Sequence, residues 1–287
     1  MNQAIAPTRG QIVRGYLVLP HAVPIIAVML ATAAFAFVAA DGWPGFADFA
    51  CLLGAMFGAQ LAIGAVNELA DADLDAVAKP DKPIPSGLVS RRGARVVMLT
   101  GLLLMILCSF RFSLAAFMLC ALGAGVGIAY SIWFKRTIWG WIPYLIALPL
   151  IPIWVWSALS SVDPGLFAIY PIGAAAVISV QIAQSLPDLD ADRDSGVRTL
   201  AVRLGPERAH LTCWGSMLLA AVLAASFAPL LVERPSRVWL AALAAALFVA
   251  TDALLWMRNR HTGVMAAFPL MALAAAILGV GWTLALL

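Results

Sequence analysis

Asn67-Glu68-Leu69-Ala70-Asp71-Ala72-Asp73-Leu74-Asp75 closes one long apolar run, and Pro187-Asp188-Leu189-Asp190-Ala191-Asp192-Arg193-Asp194 closes another. Between them these stretches hold eight of the 15 acidic residues in the chain. A carboxylate beside lipid is costly unless it is paired or coordinates a cation. Acids concentrated at two helix ends point to a divalent metal, and a divalent metal at a membrane points to phosphate chemistry.

The rest of the chain sets the frame for these clusters. Of 287 residues, 63% are hydrophobic and only 11% charged, and the mean hydropathy is +0.95. Soluble domains carry about 25% charged residues, so the sequence predicts an integral membrane protein with no separate soluble domain. Met1 to Arg14 does not read as a cleavable signal, because the apolar run from Tyr16 is long enough for a full span. The four cysteines (Cys51, Cys108, Cys120, Cys213) lie in apolar runs without metal spacing and read as small core residues. The net charge of +3 is modest, and no nucleic-acid partner is expected.

Nine segments approach the ~20 apolar residues that cross a bilayer as a helix: about 16–38, 49–66, 96–110, 114–133, 138–158, 166–187, 211–232, 238–256 and 264–285. With nine spans, 15 of the 18 basic residues fall on the side of the amino terminus, leaving Arg111, Arg234 and Arg237 on the other. The positive-inside rule makes the richer side cytoplasmic, as in a prokaryotic inner membrane. The expected fold is therefore an all-α bundle of nine transmembrane helices around a central cavity, forming one domain over 1–287 with cytoplasmic loops capping it. Both acid clusters belong to the cytoplasmic side, after spans two and six.

The clusters also share a spacing. Asn67, Asp71 and Asp75 stand at i, i+4 and i+8, and Gln184, Asp188 and Asp192 repeat it 117 residues later. An internal repeat with halves about 16–137 and 138–262 would explain this, and membrane repeats often place a site between their halves; coincidence over three positions is the alternative. Residues four apart share a helix face, so Asn67, Asp71 and Asp75 would project into one cavity. Carboxylate and amide oxygens are hard ligands suited to Mg²⁺. Two facing clusters could hold two or three such ions around a diphosphate, against the plainer reading of solvated loops with caps and salt bridges. The loop Ala78-Lys79-Pro80-Asp81-Lys82-Pro83-Ile84-Pro85-Ser86-Gly87 is stiffened by prolines and carries two lysines, compact charges suited to phosphate.

These motifs together resemble the UbiA superfamily of intramembrane prenyltransferases. The residues concerned are Asn-x-x-x-Asp-x-x-x-Asp, then Lys-Pro-Asp-Lys-Pro-Ile-Pro-Ser-Gly, then Asp-x-x-x-Asp-x-x-x-Gly-x-x-Thr-Leu. The resemblance implies that Asn67, Asp71 and Asp75 hold one Mg²⁺ region and Asp188 and Asp192 the other. It assigns Lys79 and Lys82 to the diphosphate. Tyr130-Ser131-Ile132-Trp133-Phe134-Lys135 resembles a further element of the family, in which Tyr130 and Lys135 would approach the leaving group; an interfacial anchor and a topology charge are their simpler readings. The implied reaction is Mg²⁺-dependent transfer of a prenyl group from a polyprenyl diphosphate to a lipid-soluble, most often aromatic, acceptor. A membrane terpene cyclase is the alternative, and a secondary transporter a more distant one.

Two positions depart from the family pattern. Glu68 follows the motif Asn where Asp is common, and an Arg expected in the first helix is absent, leaving Arg14 or His21 as its substitute. Asp73, Asp190 and Asp194 lie off the four-residue register and read as supporting or salt-bridging acids, one of which could take the acceptor's proton. Asp252 could contact substrate or pair with Arg258. His210 and His261 read as interfacial, Gln181 and Gln184 as cavity candidates, and Trp139, Trp141, Trp154 and Trp156 as an interfacial belt.

Overall fold

The computed structural model describes residues 8–20, 22–160, 162, 166–167, 169–194 and 196–286. Among the described residues the chain is helical throughout and holds no strand, as expected for a membrane-embedded chain that must satisfy its backbone internally. Among the described residues, seven helices are long and apolar enough to cross a membrane. They are α3 (Phe46–Ala78), α4 (Arg91–Ser109), α5 (Leu114–Ala129, running into a π-helical turn at Tyr130–Phe134), α6 (Trp141–Leu159), α9 (Leu200–Leu231), α10 (Pro235–Arg258) and α11 (Arg260–Leu286). The other elements are α1 (Arg9–Val18), α2 (Ala22–Ala39), α7 (Ile169–Ser185) and the six-residue α8 (Leu189–Asp194).

The expectation of nine spans therefore meets, among the described residues, seven long helices and two shorter apolar ones, α2 and α7, at the positions of spans one and six. A proline marks one end of each. The first span breaks between α1 and α2 at Pro20, and α7 stops at Ser185, just before Pro187; proline lacks the N–H and drives the preceding residue out of helical geometry. The short connection after Ser109 is where the sequence places it. Ser113 starts α5, its hydroxyl accepting from the Ala116 N–H at 3.1 Å, a standard cap.

Packing falls into two main cores. One joins α2, α3, α4, α5 and α6 around Leu52, Met56, Met105 and Trp154, and the other joins α7, α9, α10 and α11 around Ile182, Met217, Val238 and Met271. Small residues set the closest approaches, as expected where lipid offers no hydrophobic drive between helices. A Cβ on Gly58 of α3 would lie 2.5 Å from the Gly101 carbonyl of α4, and one on Gly101 would lie 2.6 Å from the Gly58 carbonyl. A third, small cluster (Leu19, Ala65, Val89 and Ala94) fastens α1 and the proline-rich loop to α3 and α4.

Candidate active site at the mouth of an apolar cavity

α3 outlasts its apolar run by three turns because no proline intervenes before Pro80, and it closes with the Lys79 N–H donating to the Asp75 carbonyl at 2.8 Å. Asn67, Asp71 and Asp75 therefore stay on one helical face, with Asp71 and Asp75 buried. At the end of α5 the helix takes one wider turn, the Lys135 N–H reaching the Tyr130 carbonyl at 2.9 Å. Such π turns recur at functional sites. This one brings Tyr130 and Ser131 to the cavity wall and carries Lys135 and Arg136 over α3.

Three acids of α3 meet three cations there. Lys82 Nζ donates to Glu68 Oε1 at 2.7 Å and to Asp75 Oδ2 at 2.8 Å. Arg136 Nη2 donates to Asp71 Oδ1 at 2.6 Å, while Lys135 binds Asp71 Oδ2 and reaches Asn67 Oδ1 at 3.2 Å. Partial burial alone would lower the Lys82 pKa, but the hydrogen bonds to Asp75 and Glu68 outweigh it and raise it above the ordinary lysine value. Glu68, a departure from the family pattern, is thus a buried partner of Lys82.

The second cluster is built differently from the first. Gln184 lies in the last turn of α7, Asp188 sits in the turn after Pro187, and Asp192 lies on α8 with its N–H on the Asp188 carbonyl at 2.8 Å. The shared spacing is therefore not a shared continuous helix, because Pro187 interrupts the second copy. Burial and the charge of Asp188 raise the Asp192 pKa above the ordinary carboxylate value, with Lys79 acting the other way. Lys79, an exposed residue at the end of α3, is thus the charge that the first motif presents to the second. The loops are also tied directly, the Arg198 N–H donating to the Arg136 carbonyl at 3.2 Å.

Behind this mouth runs a cavity of about 660 Å³. α3 contributes Met56, Ala59, Gln60, Ile63, Gly64 and Asn67, the three-to-four spacing of one helical face. α5 and its π turn add Gly123, Ala124, Gly127, Tyr130 and Ser131, and α6 adds Tyr144, Ala147, Leu148, Ile151 and Trp154. Leu17, Val18 and Pro20 close one side, and Gln184 enters from α7. The walls are apolar, and the polar groups gather mostly at the end marked by Asn67, Ser131, Lys135 and Gln184. The rings of Tyr130 and Tyr144 meet edge to face at 4.8 Å.

Several expectations change on this geometry. Trp154 is buried in the wall of the cavity and does not belong to an interfacial belt. His210 is also buried, its ring 5.0 Å from that of Trp256, whereas His261 is exposed. Asp252 is buried and accepts from Trp214 Nε1 at 2.7 Å; it is absent from the cavity wall, which leaves a transport reading without its intramembrane acid. Asp73 and Asp190 are paired with Arg91 and Arg193 and are 86% and 91% exposed, so neither faces an acceptor as a base. Arg14 is exposed and does not line the cavity, and His21 lies outside the described residues. Arg136, Tyr144 and Gln60 were not singled out by sequence, and Ser131 was quoted within its motif without a role of its own; Gln60 also carried a signal, at two helical turns before Asn67.

Among the described residues no three carboxylate, histidine or cysteine groups converge as a ready ligand set. The donor chemistry of the first cluster, two carboxylates and an amide on one face, nevertheless fits a hard divalent cation. The fold and this mouth define an intramembrane protein with an acid- and cation-lined entrance over an apolar chamber. Residues 27–276 match the UbiA prenyltransferase family, and the chain belongs to it. It is 32% identical over 195 residues to the bacteriochlorophyll synthase 33 kDa chain of Cereibacter sphaeroides, covering 63% of each chain; the matched part is thus less than two thirds of that relative. The fold is that of a digeranylgeranylglyceryl phosphate synthase structure (TM-score 0.77, 13% identity, 96% of this chain and 99% of that one). A UbiA homologue from Archaeoglobus fulgidus, solved bound to DMAPP and Mg²⁺, gives a TM-score of 0.69 at 19% identity over 92% of this chain and 99% of its own.

Proposed function

We propose that the protein transfers a prenyl group from a polyprenyl diphosphate to an aromatic acceptor within the membrane, releasing diphosphate, with Mg²⁺ as cofactor. The observation that carries this reading is the juxtaposition of three paired carboxylates and three cations with a long apolar chamber (Glu68, Asp71 and Asp75; Lys82, Lys135 and Arg136). A diphosphate needs cations, a polyprenyl chain needs apolar walls, and the two needs are met at adjoining ends of one space. The Mg²⁺ and DMAPP of the Archaeoglobus fulgidus homologue support the donor class.

In this reading Asn67, Asp71 and Asp75 hold metal on one side, and Asp188 and Asp192 hold it on the other. When bound, Mg²⁺ neutralises and orients the departing diphosphate. Lys79, Lys82 and Lys135 grip its oxygens, and Tyr130 stands where the allylic C–O bond opens into the chamber. Fixed charges facing the developing negative charge in a water-poor site are the main source of rate. The apolar walls keep water from the electron-poor prenyl carbon until the acceptor's ring carbon bonds to it, and the ring then gives its proton to the released diphosphate and regains aromaticity. α2 and α7, at 18 and 17 residues, are about 26 Å long at 1.5 Å per residue, close to the bilayer core. They complete nine spans, with the site on the cytoplasmic side and the whole chain forming one domain of two related halves.

The test is incubation of the purified protein with Mg²⁺ and labelled geranylgeranyl diphosphate, with and without a panel of aromatic acceptors, read by mass spectrometry. A prenylated adduct that requires Mg²⁺ is expected. A cyclic hydrocarbon formed without acceptor would replace transfer by cyclisation, and Mg²⁺-independent turnover would remove the metal assignment. Asp71→Asn should lower kcat/KM by roughly 10²-fold or more while the protein remains folded by circular dichroism.

A further inference from the structure

Both carboxylate oxygens of Asp71 are already bonded, Oδ2 to Lys135 and Oδ1 to Arg136. A metal ion ligated by Asp71 would share those oxygens with two cations, and a divalent ion approaching those two charges is repelled by them. A diphosphate beside Asp71 offers those two side chains another anion and so relieves the repulsion, since a guanidinium fork fits phosphate oxygens as well as carboxylate. Arg136 differs from Lys135 in a further respect. Its main-chain carbonyl accepts the Arg198 N–H, in the loop that leads from the second acid cluster to α9. One residue thus holds the first motif by its side chain and the second motif's loop by its backbone.

Resting on the proposed function, we propose that Arg136 is a positioning residue that gates the first metal region. It holds metal off Asp71 by its charge until a diphosphate draws its guanidinium away, while its main-chain carbonyl keeps the loop after Asp188 and Asp192 beside it. Metal and diphosphate then bind cooperatively, each weakly alone. The gate protects a membrane enzyme from holding a bare divalent ion against its acids, and it admits metal together with the leaving group that the metal serves.

The test uses Mn²⁺ as the probe, its free signal followed by electron paramagnetic resonance, on the purified full chain with and without geranyl S-thiolodiphosphate, an unreactive donor analogue. In the wild type, Mn²⁺ should bind weakly alone and markedly more tightly with the analogue. Arg136→Gln should bind Mn²⁺ alone roughly two- to fivefold more tightly, the scale of one part-exposed ion pair, and should show a smaller gain from the analogue. Arg136→Lys, which keeps the charge, should behave like the wild type, and this separates loss of the gate from loss of the fold. Equal Mn²⁺ affinity in wild type and Arg136→Gln, with an unchanged gain from the analogue, would overturn the gate and leave the metal assignment standing. No Mn²⁺ binding in any of the proteins, with or without analogue, would overturn both.

Discussion

At the scale of single residues, the charge at the cavity mouth is nearly balanced before any substrate enters. Glu68 and Asp75 are 1% and 11% exposed in their side chains, and both lean on Lys82. Removing one partner of a buried pair leaves the other charge less well compensated, which costs up to about 3–5 kcal/mol when fully buried and less where water or a further contact reaches the group. Lys82→Met is therefore expected to lower stability by about 2 kcal/mol, measurable as a reduced thermal midpoint in detergent; an unchanged midpoint would show the pairs to be dispensable. The sign of the pH effect follows from the same contacts. The folded-state pKa of Lys82 is raised, so its contribution is fully present below the unfolded lysine value of about 10.4 and is lost as pH rises through the folded value. Wild-type protein should lose stability above that pH in excess of the loss seen in Lys82→Met.

At the scale of elements, two local irregularities aim the site. The π turn at Tyr130–Phe134 inserts one residue into the α5 register, and each residue of an α-helix turns the chain by about 100°. Deleting the exposed Ile132 should restore α-helical register and swing Lys135 and Arg136 off Asp71. Prenyl transfer should fall to background while circular dichroism stays near that of the wild type; retained turnover would show that the π turn does not set the site. The reciprocal contact of Gly58 and Gly101 fixes α4 against α3, the helix that carries the first acids. Gly101→Leu forces the two backbones apart, and overpacking of this kind costs about 1–3 kcal/mol. Its thermal midpoint should drop and donor binding should weaken with it, whereas Gly125→Leu, at a glycine with open space around it, should do neither.

At the scale of the whole molecule, the functional unit is the alignment of a charged mouth with an apolar chamber, and only the assembled helices make it. Gly123 of α5 lines the chamber, with Leu150 Cδ2 3.8 Å from the place a Cβ would take. A larger side chain there shortens the space for a tail without touching the acids. Gly123→Phe should reduce kcat/KM for geranylgeranyl diphosphate by at least roughly tenfold more than for geranyl diphosphate, since each buried CH₂ of tail contributes about 0.8 kcal/mol. Equal losses for both donors would place the tail elsewhere.

The chain's own order of residues determined its class, its many apolar helices, the two acid motifs and the family those motifs resemble, because apolar runs and i, i+4 spacing are local properties that survive reading in one dimension. Its prolines also carried the breaks at Pro20 and Pro187, though the span count read over them. The partners of the acids were not legible in the same way. Arg136 looked like a topology charge until α5 turned it onto Asp71, 65 residues away in sequence. Trp154 looked like an interfacial anchor until α6 packed it against α3 and α5. Which cation meets which carboxylate, and which faces enclose a chamber, depends on helix rotation and crossing. Packing sets those across the whole bundle, and no stretch of sequence carries them alone.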